Sequence, residues 1–369
     1  MKIALVHDYL SQDGGAEKVL KALHEIWPDA PIFVLFHDRK KINYLNNEKI
    51  KESWLAKMPF VKNIFQWYLP LMPMATEQHD LHGFDLVISS TSSFAKGIIT
   101  SPNTLHISYC HTPPRFLWGD GNNYLSDLKS NYFIKLILPL LNHHLRLWDQ
   151  LSTQRVDHFI ANSQTVQQRI KKYYRRESDI IFPPVDTHRF QIANKLGDYY
   201  VAGGRLVPYK RLDLVVKVFN RLQYPLKIFG IGSEYKFLKK ISKPNIEFYG
   251  KISENEKAVL FSRALAFIHP QKEDFGITPI EAMSAGRPVI AYGYGGASET
   301  ITPNETGTFF YQQTWEALLN SILNFDPYHW DSEKIRLHAQ NFSCDKFKNK
   351  IQSFTDKRHA QFQNSLNSI

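Results

Sequence analysis

Leu265-Ala-Phe-Ile-His-Pro-Gln-Lys-Glu-Asp-Phe-Gly-Ile-Thr-Pro-Ile-Glu281 reads as a strand, a loop and the opening of a helix. The unbroken apolar run Leu265–Ile268 fits a strand covered on both faces. Thr278 is a good N-cap, Pro279 suits the first helical position, and Glu281 stands where a capping-box partner belongs. Gly286 and Pro288 then stop the helix. The start of such a helix offers unpaired backbone N–H groups and a positive dipole end, aimed where the strand finishes. That is an anion site suited to a diphosphate, with Glu273 on the loop before it. The bland alternative is that Thr278 and Glu281 only cap a helix.

The same alternation continues on either side. Short apolar runs recur at residues 2–7, Asp85-Leu-Val-Ile-Ser89, Leu105-His-Ile-Ser-Tyr109 and His158-Phe-Ile-Ala161. Further runs are Tyr199-Tyr-Val-Ala202, Leu226-Lys-Ile-Phe229 and Pro288-Val-Ile-Ala291. Between them, Lys210–Leu222 sets Leu212, Val215, Val216, Phe219 and Leu222 along one helical stripe. Strand alternating with helix predicts an α/β, doubly wound architecture. The alternation pauses at Phe182-Pro-Pro-Val-Asp186 and restarts with Gly203-Gly204. A hinge at about 184–197 follows, between a domain of residues 1–190 and one of 191–350, with a cleft between them. Ligands of such sheets gather beyond the carboxyl ends of the strands.

The 369 residues suit two domains, and 43% apolar with 22% charged residues excludes a disordered or collagen-like chain. Cys110 and Cys344 stand far apart, which argues against a disulfide scaffold or thiolate zinc site and for a reducing cytoplasm. Met1–Val6 enters an apolar run at once and reads as a strand, not a signal peptide. The best apolar run, Tyr132–Leu141, carries Lys135 and Pro139 and is too short to span a bilayer. A net charge of +10 draws anions: nucleic acid, acidic lipid or phosphorylated substrates. Charge alone does not choose among them, but no nucleic-acid-binding module is visible.

Other segments could carry chemistry. In Val201-Ala-Gly-Gly-Arg-Leu-Val-Pro-Tyr-Lys-Arg211, a strand exit is followed by Arg205 and Lys210, and two cations there can neutralise a leaving diphosphate. As a solvated pair at a helix start, Lys210 and Arg211 would be disfavoured by the dipole. Gly14 and Gly15 precede an apolar helical stripe, and a glycine turn there can approach a phosphate or be a plain tight turn. His111 follows the strand Leu105–Tyr109, at a strand exit where a polar side chain can face a ligand. Gly230-Ile-Gly232 is a weak dinucleotide signal. No Asp-x-Asp and no His–carboxylate cluster with ligand spacing occurs in the sequence. No metal site and no cofactor is expected, and charge neutralisation should fall to Arg, Lys and helix dipoles.

Several of these pieces together resemble family 4 of the glycosyltransferases, retaining enzymes of the GT-B fold with two Rossmann-like domains. They are Gly14-Gly15-Ala16-Glu17, Ala161-Asn-Ser163, Phe182-Pro-Pro-Val-Asp186, Gly204-Arg205-Leu-Val-Pro-Tyr-Lys210, Gly250 after Phe248-Tyr249, and Glu273 to Glu281 as an E-x(7)-E. Tyr109-Cys-His-Thr-Pro-Pro-Arg-Phe-Leu-Trp118 resembles the bacterial O-antigen and exopolysaccharide mannosyltransferases. The resemblance implies that Arg205 and Lys210 hold the donor diphosphate and that Glu281 accepts from the ribose hydroxyls. It puts Glu273 by the donor sugar, with Phe275 and Gly276 at its hydroxyls and the N–H groups of Ile277 and Thr278 at the phosphates. It further implies that Gly15, beside Gly14, approaches the diphosphate, that His111 sits near the reacting sugar, and that Gly204 lies at the phosphate turn. Gly250, Lys251 and Ile252 flank the base, and residues 351–369 form a helix packing back on the first domain. The family often has Gly where this chain has Arg211, which would alter the local turn.

The activity implied is transfer of a hexose, with mannose from GDP-mannose favoured, to a hydroxyl of a lipid-linked glycan in cell-surface polysaccharide synthesis. Another nucleotide donor such as a UDP-sugar, a sugar-nucleotide epimerase, or a non-catalytic nucleotide-sugar-binding subunit are the alternatives. The basic, aromatic segments Ser53–Met74 and Tyr132–Trp148 could touch an anionic membrane, placing the protein in the cytoplasm or peripherally on the inner face of the membrane. Core packing is the competing reading of most of those aromatics.

Overall fold

The apolar runs fold into strands because only a parallel sheet covered by helices on both sides buries them completely. The computed structural model describes residues 1–42, 45, 49–119 and 132–367, with the side chains of 132–137 outside that description. The chain divides into two compact units, Met1–Pro183 with Phe347–Ile369, and Pro184–Lys346.

The first unit holds β1 (Ile3–His7), β2 (Ile32–Val34), β3 (Ile50–Glu52), β4 (Leu86–Thr91), β5 (Leu105–Cys110), β6 (His158–Ala161) and β7 (Ser178–Ile180). They form one sheet in the order β3-β2-β1-β4-β5-β6-β7, with every neighbouring pair parallel. The second unit holds β8 (Tyr200–Gly203), β9 (Leu226–Phe229), β10 (Ile246–Gly250), β11 (Phe267–His269), β12 (Val289–Tyr292) and β13 (Gly307–Phe310). Their order is β10-β9-β8-β11-β12-β13, again parallel throughout. Both sheets begin at an inner strand, run to one edge and restart on the other side. This is the doubly wound order 3-2-1-4-5-6, with its switch point between the first and fourth strands. The α/β, doubly wound expectation is met.

Every residue of β1, β4 and β5 is buried. The helix Gly15–Ile26 lays Val19, Leu20, Ala22 and Leu23 on this sheet, and each such aliphatic side chain contributes roughly 1.5–3 kcal/mol. In the second unit, the helix Leu212–Leu222 buries Leu212, Val215, Val216 and Phe219 as its stripe requires. The sequence runs omitted β2, β3, β7, β10 and β13, which are short or alternate between covered and open residues.

The boundary falls at Pro183/Pro184, so residues 184–190 lie in the second unit instead of closing the first. Val185 bridges to Ser343, Thr187 Oγ1 donates to Gln340, and the Phe190 ring stacks on Phe261. At the other end, the helix Cys344–Asn367 joins the first unit from Phe347 on, with Phe347 and Ile351 buried in that unit's core. Residues 368–369 lie outside the described residues.

The segments 53–74 and 132–148 are part core and part surface. Leu55, Val61, Met72 and Leu145 share one buried cluster with Trp54, Phe65, Tyr68 and Trp148 at its margin. Phe60 and Trp67 are exposed at 75% and 68%. The aromatic at Phe133 and its neighbours to Ile137 lie outside the described side chains. Among the described residues, no helix is long and apolar enough to cross a membrane.

Candidate active site

The carboxyl ends of β8 and β11 meet at the switch point of the second sheet, and both carry candidate residues. Past β8, Gly204 leads to Arg205 and the short turn Pro208–Lys210. Lys210 Nζ forms an ion pair with Glu273 Oε1, on the loop past β11, and both side chains are largely buried at 11% and 17% exposure. Arg205 is exposed and donates to the Tyr209 hydroxyl at 3.2 Å, while the Lys210 ammonium stands 5.6 Å from the centre of the same ring. Tyr209 thus ties the two cations to one turn. Arg211 adopts the left-handed conformation, φ 52°, that glycine would take more cheaply, and pairs with Asp213 at 3.1 Å.

The helix past β11 begins earlier than its sequence suggests. It spans Ile277–Ser284, and its N-cap is Gly276 at φ 90°, not Thr278. Only a left-handed residue turns the chain into the helix here, so glycine sets the start and Pro279 falls in the first turn. Gly276 has no side chain to cap this helix, and among the described residues no side-chain hydrogen bond to the N–H groups of Ile277 and Thr278 is found. The loop ahead of it is pinned from below. Gly296 N–H donates to the Glu273 carbonyl at 2.9 Å, and a Cβ on Gly296 would stand 2.1 Å from the Phe275 carbonyl oxygen. The Phe275 ring turns inward against Phe342, leaving only its backbone for a ligand.

His269, at the end of β11, lies under this loop and is fully buried. Its Nε2 is 3.6 Å from where a Gly276 Cβ would be, and neither ring nitrogen has a hydrogen-bond partner among the described residues. Burial, with the Lys210 ammonium nearby, lowers its pKa to about 3, so the ring is neutral.

Glu281 does not close a capping box. Its Oε2 accepts from Lys257 Nζ at 2.9 Å, and both residues are buried. Lys257 sits on the helix Glu254–Ser262, which Ser253 caps directly after Gly250, Lys251 and Ile252 leave β10. The same carboxyl edge therefore carries the diphosphate candidates at β8 and β11 and the base candidates at β10.

In the first unit, Gly14 is the N-cap of the helix Gly15–Ile26, and its N–H donates to Glu17 Oε2 at 2.9 Å. Gly15 is exposed at the first helical position. His111, one residue past β5, is 9% exposed and holds Ser90 Oγ at 2.8 Å from Nε2. Burial and the neighbouring His7 ring lower its pKa to about 3. At the switch point of this sheet, the loop past β4 turns its N–H groups inward. Asp8 receives them, Ser92 and Ser93 on Oδ2 at 2.6 and 2.9 Å and Phe94 and Ala95 on Oδ1, both at 2.7 Å.

Residues 14–189 match the family described as Glycosyltransferase Family 4, and residues 185–325 match Glycosyl transferases group 1. The alpha-1,3/1,6-mannosyltransferase ALG2 of Dictyostelium discoideum is 36% identical over 298 residues, covering 66% of this chain and 67% of that one. The chain belongs to glycosyltransferase family 4. The O-antigen chain mannosyltransferase RfbU of Salmonella typhimurium is 25% identical over 200 residues, covering 48% of this chain and 54% of that protein. That match spans about half the length of the relative. The structure of HepE from Anabaena, solved in complex with UDP, superposes with a TM-score of 0.72 at 16% identity, covering 97% of this chain and 100% of that one. That likeness shows the GT-B fold.

In this family 4 glycosyltransferase, the structure brings Lys210, Glu273 and Gly276 together and places Glu281 against Lys257. Sequence reasoning passed over Lys257, which lies 24 positions before its partner with no motif to join them. It passed over His269 as well, although a polar residue directly after a strand is the cue that singled out His111.

Proposed function

We propose that this family 4 glycosyltransferase moves mannose from GDP-mannose to a hydroxyl of a lipid-linked glycan, with retained anomeric configuration, in cell-surface polysaccharide synthesis. One observation carries the reading. Lys210 and Glu273 meet at the switch point of the second sheet, beside a helix start whose N-cap is a glycine with no side chain to offer. A diphosphate needs a cation and free N–H donors, and a sugar needs a carboxylate to accept from its hydroxyls. The mannosyl assignment draws on RfbU and ALG2 as relatives.

In the proposed reaction, the bond from the anomeric carbon to the diphosphate oxygen breaks. The acceptor oxygen forms its bond on the same face, and its proton passes to the departing phosphate. Negative charge grows on the diphosphate, where Arg205, Lys210 and the N–H groups of Ile277 and Thr278 would stabilise it. Each such contact is worth about 2.7–4 kcal/mol of barrier by analogy with oxyanion donors. These groups take the part that a divalent ion plays elsewhere. Glu273 and the backbone of Phe275 and Gly276 hold the sugar, Glu281 the ribose, and Gly250–Ile252 the base. Gly14 and Gly15 are assigned to the diphosphate, and Gly204 to the turn beneath it.

The exposed Phe60 and Trp67, with Lys57 and Lys62 close to them in sequence, and the exposed Leu140 support contact of the first unit with an anionic membrane on its cytoplasmic face, where lipid-linked acceptors are presented.

Thermal-shift titration against GDP, UDP, ADP and dTDP tests the donor, because a ligand bound only by the native state raises the melting point. GDP should give the largest shift, and GDP-mannose should be turned over in EDTA. A larger shift with UDP would move the assignment to a UDP-sugar, and no shift with any nucleotide would overturn it.

A further inference from the structure

The first unit holds a buried polar chain that ends on His111. His7 and Ser90 are direct register partners across β1 and β4, so their side chains share one face. Ser90 Oγ stands 3.1 Å from His7 Nδ1 and 2.8 Å from His111 Nε2. On the far side of His7, Nε2 faces Glu17 Oε1 at 4.0 Å. The other Glu17 oxygen is occupied by Gly14 N–H. His7, Glu17 and Ser90 are buried at 3%, 3% and 0% exposure.

Proton counting orders this chain. A serine hydroxyl has one proton, so Ser90 donates to one ring and accepts from the other. The carboxylate facing His7 Nε2 favours the proton on that nitrogen, which leaves His7 Nδ1 bare. Ser90 O–H then donates to His7 Nδ1, and Ser90 Oγ accepts from His111 Nε2–H. The reverse order would aim a lone pair of His7 at the Glu17 carboxylate. The remaining nitrogen, His111 Nδ1, has no hydrogen-bond partner among the described residues.

We propose that Glu17, acting through His7 and Ser90, locks His111 in the tautomer protonated on Nε2, so that Nδ1 is a fixed acceptor for a substrate hydroxyl. Glu17, His7 and Ser90 are positioning residues, and His111 is the group that touches substrate. This rests on the glycosyl-transfer reading for what the hydroxyl belongs to, but not for the tautomer. The hydroxyl belongs either to the donor sugar or to the acceptor. A neutral ring suits both, and the low pKa of His111 agrees with one.

The test uses the full chain with ring-¹⁵N-labelled histidine, and His111→Asn identifies the His111 signals. The wild type should show a protonated Nε2 and an unprotonated Nδ1 at His111 near neutral pH. Ser90→Ala, which fits the same space, and Glu17→Gln should each turn this into a mixture of tautomers. Ser90→Ala should also lower kcat about tenfold, the loss of one fixed hydrogen bond, with the nucleoside diphosphate Kd unchanged. If donor hydrolysis without acceptor slows equally, the hydroxyl is the donor's; if only transfer slows, it is the acceptor's. A wild-type His111 protonated on Nδ1, or a tautomer unmoved in both variants, overturns the proposal. Those spectra stand whether or not the transfer reaction is found, so the two readings fail separately.

Discussion

The Lys257 ammonium is held between two carboxylates of the second unit, Glu281 at 2.9 Å and Glu254 at 3.0 Å. Glu281 is 3% exposed, so removing Lys257 takes an ammonium away from a buried carboxylate. Lys257→Met should therefore cost about 3–5 kcal/mol in denaturant titration. Glu281→Gln added to that variant should restore most of the loss. Donor KM should rise in both, since the carboxylate assigned to the ribose is either displaced or gone.

Glu273 pairs with Lys210, the cation we assign to the diphosphate. Glu273→Gln should bind nucleoside diphosphate several-fold more tightly by calorimetry, because a charge that repels phosphate is removed from beside Lys210. Its turnover of the sugar donor should fall, since the sugar loses its acceptor. Lys210→Ala should lose both properties, with kcat down about 10²–10³-fold. Weaker nucleotide binding in Glu273→Gln would show that the carboxylate does not compete for Lys210.

Gly276→Ala isolates backbone conformation from space. A Cβ there would meet Glu273 Oε2 at 3.4 Å and His269 Nε2 at 3.6 Å, which are ordinary contacts. The cost is the left-handed conformation, about 1–2 kcal/mol. The melting point should fall, and donor affinity should fall further, because relaxing the strain re-aims the N–H groups of Ile277 and Thr278.

Acid should destabilise the protein before its carboxylates titrate. His111 and His269 have pKa values lowered to about 3 and His106 to about 4, all by burial, against 6.5 when unfolded. Below pH 6.5 the unfolded chain binds protons that the native state refuses. The stabilisation is complete above pH 6.5 and is lost as pH falls towards about 4 for His106 and about 3 for His111 and His269, by up to about 1.4 kcal/mol per pH unit for each ring. Melting points measured from pH 7 to 4.5 should fall steeply, and His269→Gln should flatten the slope. An unchanged slope in that variant would show that His269 is already solvated.

What could be read from sequence divides along contact range. The alternation of apolar run and helical stripe is local, and it located eight of the strands and the doubly wound layout. Arg205, Lys210 and the Glu273–Glu281 block stand at strand exits for the same local reason. The helix start was misplaced because Thr278 and Pro279 look like a cap, and the sequence does not announce that Gly276 is left-handed. The pairs that organise the sites are not local. His7 meets Ser90 across 83 positions, and Lys257 meets Glu281 from a different helix. Such partners follow only from strand register, and no spacing rule within one segment anticipates them.

Two sheets of the same order would ordinarily present two equivalent berths for a nucleotide. Asp8 breaks that equivalence. By lodging its own carboxylate on the amides of residues 92–95, the first sheet keeps a built-in occupant where a phosphate would otherwise settle. Those four amides are engaged within their own unit, whereas the matching exit of the second sheet carries the Lys210–Glu273 pair.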